Sequence, residues 1–125
     1  MNPTNPVGWF EIYVQDMARA KAFYEAVFEL TLSPLEGSPD VSMLAFPMQP
    51  ERYGAPGALV HMAGFPSGGN SVIVYFSCAD CAVEAGRAAQ RGGTVQKPKF
   101  SIGPYGFIAL VSDTEGNVIG LHSMN

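Results

Sequence analysis

Charge is scarce in this chain. Asp, Glu, Lys and Arg together make up 14% of its 125 residues, and no basic run occurs anywhere. With a net charge of −4, the chain offers no electrostatic footprint for nucleic acid. A surface so poor in charge is expected to hide part of itself in a homodimer. Cysteine is nearly absent too: two residues cannot make a disulfide scaffold. No apolar run approaches the roughly 18–20 residues that span a bilayer, which argues against a membrane partner. The opening MNPTNPVG has neither a basic nor an apolar leader, so no signal peptide is expected. The reading from these absences is a soluble cytoplasmic protein. What the chain does have is 47% hydrophobic and 11% aromatic residues, enough for one globular domain with its own core.

The stretch Gly8–Phe28, GWFEIYVQDMARAKAFYEAVF, reads strand, turn, helix. Residues 8–14 are β-branched or aromatic around one acid, Glu11. Asp16 can cap a helix. Ala20, Phe23, Tyr24, Val27 and Phe28 then fall on one apolar helical face. Glu11 needs water, a partner charge, a metal or a ligand, since burying a lone carboxylate is costly. It is the first candidate functional residue.

Further along, Glu29–Ser33 reads as a short strand, Leu35–Asp40 as a turn and Val41–Pro47 as a strand. Residues 47–57, PMQPERYGAPG, are too broken for helix or sheet and form either a lid or a surface excursion. Ala58–Ala63 reads as a strand containing His61, and Phe65–Asn70 as a linker. The order then repeats. Ser71–Cys78 is a strand, Asp80 caps a helix running to Gly92-Gly93, and Thr94–Gln96 is a short strand. Lys97–Gly106 reads as a long loop, Phe107–Ser112 as a strand, Asp113–Asn117 as a turn and Val118–Ser123 as the last strand. The cap aspartates, at positions 16 and 80, stand 64 residues apart, about half the chain. The expected fold is α+β: two βαβββ modules, about 7–64 and 71–125. Their curved sheets enclose a cleft that takes a small molecule, with the helices outside.

WFEIYVQDMARAKAFYEAVF resembles the opening module of the vicinal oxygen chelate superfamily, which includes glyoxalase I, bleomycin-resistance proteins and extradiol dioxygenases. ALVSDTEGNVIGLHS resembles its closing module. The resemblance implies a cleft that holds a divalent metal in many members; one fold, however, hosts many functions. Residue by residue, the four ligand positions of metal-dependent relatives fall on Trp9, Ile73, a position at or near His61, and Gly120. Trp9, Ile73 and Gly120 cannot bind a metal.

Strand alternation places Trp9, Glu11 and Tyr13 on one face, and Gly120 with His122 on another. If the ligand positions face the cleft, so do Glu11 and His122. Glu11, His61 and His122 are then either a shifted metal site or a metal-free set, with Glu11 as general base and His122 as its catalytic partner. In a third reading Glu11 pairs locally and both histidines are ordinary. The cofactor is open between none and a divalent metal. Tyr75 is the repeat mate of Glu11 and is expected to share the cleft face with Ile73 and Ser77. In KPKFSIGPYGF, Tyr105 and Phe107 are candidate binding residues. Lys97 and Lys99 either favour an anionic ligand or are plain surface lysines. Cys78 and Cys81 form a C-x-x-C at a strand-to-helix junction, either redox-active or positions of the repeat. Trp9, Tyr13, His61, Tyr75, Tyr105 and Phe107 are thus the candidate substrate contacts. Two functions compete: an enzyme carrying out a lyase or isomerase step akin to that of lactoylglutathione lyase, and a dimeric protein that sequesters a small molecule, such as a drug, without changing it.

Overall fold

A computed structural model describes residues 5–36, 39–49, 51 and 53–125. The first module runs β1 (Phe10–Tyr13), α1 (Met17–Phe28), β2 (Ser33–Leu35), β3 (Val41–Ala45) and β4 (Gly57–Met62). The second runs β5 (Tyr75–Ser77), α2 (Cys81–Gln90), β6 (Thr94–Ser101), a 3₁₀ turn (Gly103–Tyr105), β7 (Phe107–Ser112) and β8 (Val118–Ser123). Each module forms its own four-stranded sheet, in the orders β1-β4-β3-β2 and β5-β8-β7-β6. The β1–β4 and β5–β8 pairs are parallel and the others antiparallel. This is the expected α+β pair of βαβββ modules, and the two sheets do not close into a barrel. Among the described residues, no helix is long and apolar enough to cross a membrane.

The helices begin where the cap residues put them. The Asp16 side chain accepts from Arg19 N–H, and the Asp80 side chain accepts from Ala82 N–H. Ala20, Phe23, Tyr24 and Val27 are buried as the periodicity predicts, with Phe28 half-buried. The strand expected at 29–33 lies instead at 33–35. Glu29 ends α1 in the left-handed conformation (φ 51°), and the Glu25 carboxylate accepts from Leu32 N–H, so the helix exit uses residues 29–32. The loop expected at 97–106 is largely strand, because β6 continues to Ser101. Its ladder is irregular between Val95 and Phe100, where Pro98 has no N–H to donate; an edge strand tolerates that. The strand expected over 71–78 is paired only at 75–77.

The helix-covered faces of both sheets share one core. Phe10 and Ile12 on β1, and Val14 just after it, share this core with Phe76 on β5, Ala109 and Val111 on β7, and Ile119 and Leu121 on β8. An aromatic cluster crosses the modules: the Phe28 and Phe76 rings stack at 4.4 Å, and Phe10 contacts both Phe46 and Phe76. The opposite faces of the two sheets are left uncovered.

The turn joining β7 to β8, Asp113–Asn117, fixes how the modules meet. Glu115 has a fully buried side chain that accepts from Gln15 N–H and Asp16 N–H, each at 2.9 Å. It also takes Arg19 Nε–H at 2.7 Å, Arg19 Nη2–H at 3.0 Å and the Thr114 hydroxyl at 2.9 Å. Asp113 accepts from the buried Tyr24 hydroxyl at 2.7 Å, and Asn117 Nδ2–H donates to the Tyr13 carbonyl at 3.0 Å. Burial alone would raise the Glu115 pKa. The hydrogen bonds from Arg19, Asp16, Gln15 and Thr114 outweigh it and hold the carboxyl down at about 2.

Glu115→Gln should therefore destabilise the protein at pH 7 by on the order of 2–4 kcal/mol, measured by urea denaturation. A lowered folded-state pKa contributes stability above the ordinary carboxyl value of 4.5 and loses it as pH falls toward about 2. The gap between wild type and E115Q should accordingly narrow over that interval. A gap that stays constant from pH 7 to pH 2 would show that the carboxylate does not hold the junction.

Candidate functional site

The uncovered face of the second sheet is built on two parallel pairs. Tyr75 lies opposite Gly120, and Ser77 opposite His122. A side chain at Gly120 would collide with the Tyr75 ring, so glycine is what lets that ring pack against β8. The same arrangement recurs in the first module, where Gly57 carries the Phe10 ring, but on the core side. Around Tyr75, Ser77 and His122 opens a cleft of about 810 Å³. Ile108 and Ile102 line one side. Val7, Gly8, Tyr53 and Ala55 line another, so the described end of the 47–57 loop borders the cleft. Among the described residues, no Asp, Glu, Lys or Arg lines it.

Within it, His122 Nε2 lies 2.7 Å from the Tyr105 carbonyl oxygen. Tyr105 thus reaches the site through its backbone, while its side chain is exposed. Ile108 lies opposite His122 in the β7–β8 ladder, and strand alternation puts it, rather than Phe107, on the cleft side. Phe107 packs against the core and under the Lys99 ammonium. Ser77 lines the cleft with Tyr75, as expected, and Ile108 could have been found from the sequence by carrying the His122 parity across to the neighbouring strand.

Glu11 lines a different hollow, of about 220 Å³, with Tyr13, Val72, Val74 and Asn117. Trp9, Glu11 and Tyr13 share one strand face, as expected. Trp9 Nε1–H donates to the Glu11 carboxylate at 3.2 Å, and the Tyr13 hydroxyl does so at 3.0 Å. The Tyr13 ring also stacks on Phe65 at 5.4 Å. That hydrogen bond to Glu11, then partial burial, raises the Tyr13 phenol above its usual value.

The expected meeting of Glu11, His61 and His122 does not form within the chain. Glu11 and His122 line separate hollows. The reason for His61 is register. Glu11 pairs with Ala58 and Tyr13 with Val60 in the first module, as Tyr75 pairs with Gly120 and Ser77 with His122 in the second. The counterpart of His122 is therefore Val60. His61 sits one residue on, opposite Ser42, on the face of Leu59, and a one-residue offset reverses the face. Among the described residues no three His, Cys, Asp or Glu side chains gather as a metal-binding group.

The lysines of β6 are engaged elsewhere. Lys99 is 2.9 Å from the Asp80 carboxylate and lies over the Phe107 ring, and Lys97 lies over Phe100. Neither lines the cleft. Cys78 and Cys81 are free thiols. Burial, then Glu84 and Cys81 nearby, push the Cys78 thiol up to about 12, the reverse of an activated thiol. Cys81 is fully buried, at the start of α2.

Two measurements check this geometry. In Glu11→Gln, the Tyr13 phenol should titrate at lower pH than in wild type, followed by its ring NMR signals; an unchanged titration would mean that the Glu11 bond is absent. Gly57→Ala should cost about 1–3 kcal/mol, because the Phe10 ring packs against Phe46 and Phe76 and would have to leave those contacts. Gly120→Ala should cost less than about 1 kcal/mol, because the half-exposed Tyr75 ring can swing into the cleft. Equal costs in urea titrations would contradict that assignment.

The family described as bleomycin resistance protein-like N-terminal matches residues 7–43. No curated protein matches the chain. Among solved structures, the chain is similar to TnmS3, an antibiotic binding protein from Streptomyces sp. CB03234. The two are 28% identical, with 98% of each chain covered and a TM-score of 0.68. A glyoxalase/bleomycin resistance protein from Albidiferax ferrireducens T118 shares the fold at 22% identity, over 94% of this chain and 98% of that one, with a TM-score of 0.65. Glyoxalase I from Zea mays shares it at 17% identity and a TM-score of 0.73, over 95% of this chain but 46% of the maize protein. The matched opening module and the paired βαβββ architecture support the likeness to the vicinal oxygen chelate superfamily.

Proposed function

We propose that the protein binds an uncharged, largely apolar small molecule in the cleft over Tyr75 and His122, and holds it without chemical change. The observation that carries this is the lining: a hollow of about 810 Å³ with aromatic, aliphatic and hydroxyl groups, the Asn5 amide and the His122 imidazole, and, among the described residues, no Asp, Glu, Lys or Arg. A charged ligand would lose its hydration there with nothing opposite in sign to replace it. Tyr75, packed over Gly120 and half-exposed, offers an aromatic ring for a planar group to stack on. The similarity to an antibiotic binding protein supports the same reading. The lyase or isomerase alternative takes Glu11 as its base, and Glu11 is held by Trp9 and Tyr13 in the other hollow.

The binding form in this reading is a homodimer. Trp9, Val72, Ile73 and Tyr75 are exposed on or beside the uncovered sheet faces, and a second copy would take them from water. The 13.3 kDa chain should therefore sediment at twice its own mass at micromolar concentration.

The test uses a neutral dye and its anionic analogue. N-phenyl-1-naphthylamine should bind with a rise in fluorescence. Its 8-sulfonate should bind at least tenfold more weakly, and Tyr75→Ala should weaken the neutral dye by about tenfold. Equal affinity for the two dyes, or an unchanged affinity in Y75A, would remove the cleft as the binding site.

A further inference from the structure

The hydrogen bond at His122 does more than hold the residue beside the cleft, and its consequence for specificity rests on the cleft being the binding site. The partner of Nε2 is the Tyr105 carbonyl oxygen, at 2.7 Å. A carbonyl has no proton to give, so Nε2 carries the hydrogen. In a neutral imidazole the other nitrogen, Nδ1, is then left with a lone pair and can only accept.

The carbonyl is itself fixed in place. Gly103–Tyr105 form a 3₁₀ turn closed by Gly106 N–H donating to the Gly103 carbonyl at 3.2 Å, and Ile102 N–H donates to the Gly106 carbonyl at 2.9 Å. Gly106 has φ 104° and is buried where any side chain would collide with the Ser123 backbone. A peptide so held cannot turn over to offer an N–H to His122 in place of its oxygen. The other polar side chains lining the cleft are the Asn5 amide and the hydroxyls of Tyr53, Tyr75 and Ser77, each able both to donate and to accept. Among the described residues, His122 is therefore the one floor group with a single role, and no ionic side chain competes with it inside the cleft.

We propose that His122 determines specificity as an obligate hydrogen-bond acceptor through Nδ1. The cleft then selects neutral ligands that present an O–H or N–H at the edge of a planar apolar body, over isosteres in which that group is alkylated. An isostere without the donor would leave Nδ1 desolvated and unpaired, which a site of this kind penalises.

Two compounds of nearly equal shape test this: 2-naphthol, which donates, and 2-methoxynaphthalene, which cannot. Binding is followed by the δ1-methyl signals of Ile102 and Ile108. The tautomer is read from long-range ¹H–¹⁵N spectra of histidine-labelled protein at a pH where His122 is neutral. The expected result is the Nε2–H form in the free protein, with the Nδ1 signal moving when 2-naphthol binds. The naphthol should bind at least tenfold more tightly than the ether, and His122→Phe should bring the two within about threefold. An Nδ1–H tautomer, equal affinities in wild type, or a preference that survives in H122F would each overturn the proposal. The two readings fail differently. Equal affinities with shifted isoleucine methyls would leave the cleft standing and remove only the role of His122. No shift with either compound would remove both.

Discussion

The structure depends on one buried carboxylate. Glu115 sits at the junction where β1 hands over to α1, and it gathers backbone, guanidinium and hydroxyl donors from both modules. The free N–H groups that precede α1 point where an anion is favoured by the helix dipole. A carboxylate in that place without its donors would be a large penalty; with them it is a clamp with directional requirements. The flanking residues extend it, Asp113 to Tyr24 in α1 and Asn117 to the β1 carbonyl of Tyr13. A hydrophobic core can tolerate small slides of one sheet over another, whereas this set of bonds cannot. The relative placement of the two modules is thus set by polar geometry around an apolar interior.

That placement decides which faces stay open. Once the helix-covered faces meet in one core, alternation along β1 sends Phe10, Ile12 and Val14 inward, and Trp9, Glu11 and Tyr13 outward. The same rule sends Phe76 inward and Tyr75 and Ser77 outward on β5. Glycines then set how near each ring lies to its sheet. Gly57 draws Phe10 into the core, while Gly120 lays Tyr75 on the opposite, solvent-facing side. One local device, used on opposite faces, builds the interior in one module and the cleft floor in the other.

Much of this was legible in the chain because it is local. Both helix caps, the apolar face of α1 and the order of elements depend on neighbours a few residues away. The duplicated order followed from comparing the two halves. Register was not legible, since it is set by pairing between distant segments. His61 looked like the mate of His122 through the similarity of LVHM to GLHS, but the ladders make Val60 the mate. Strand β6 was hidden by Pro98, whose missing N–H reads as a loop signal until the strand is known to lie at an edge. Glu115 looked like an ordinary turn residue because its partners Gln15, Asp16 and Arg19 lie 96 to 100 residues away.

The arrangement of charge explains what kind of selectivity such a cleft can have. Arg19, Lys21, Arg87 and Lys99 are each paired with a carboxylate outside the cleft, and Lys97 rests on an aromatic ring. Among the described residues, these charges are engaged with partners outside the cleft, and no Asp, Glu, Lys or Arg lines it. Selection there cannot draw on long-range attraction, which would reward any ion of the right sign regardless of shape. It draws instead on contact area and on the few hydrogen-bonding groups of the floor, whose energies vary steeply with distance and angle. In the proposed reading, a cleft with one orientationally fixed acceptor discriminates by the position of a single proton on the ligand. That demands of the backbone around Tyr105 and Gly106 the same rigidity that Glu115 gives to the junction between the modules.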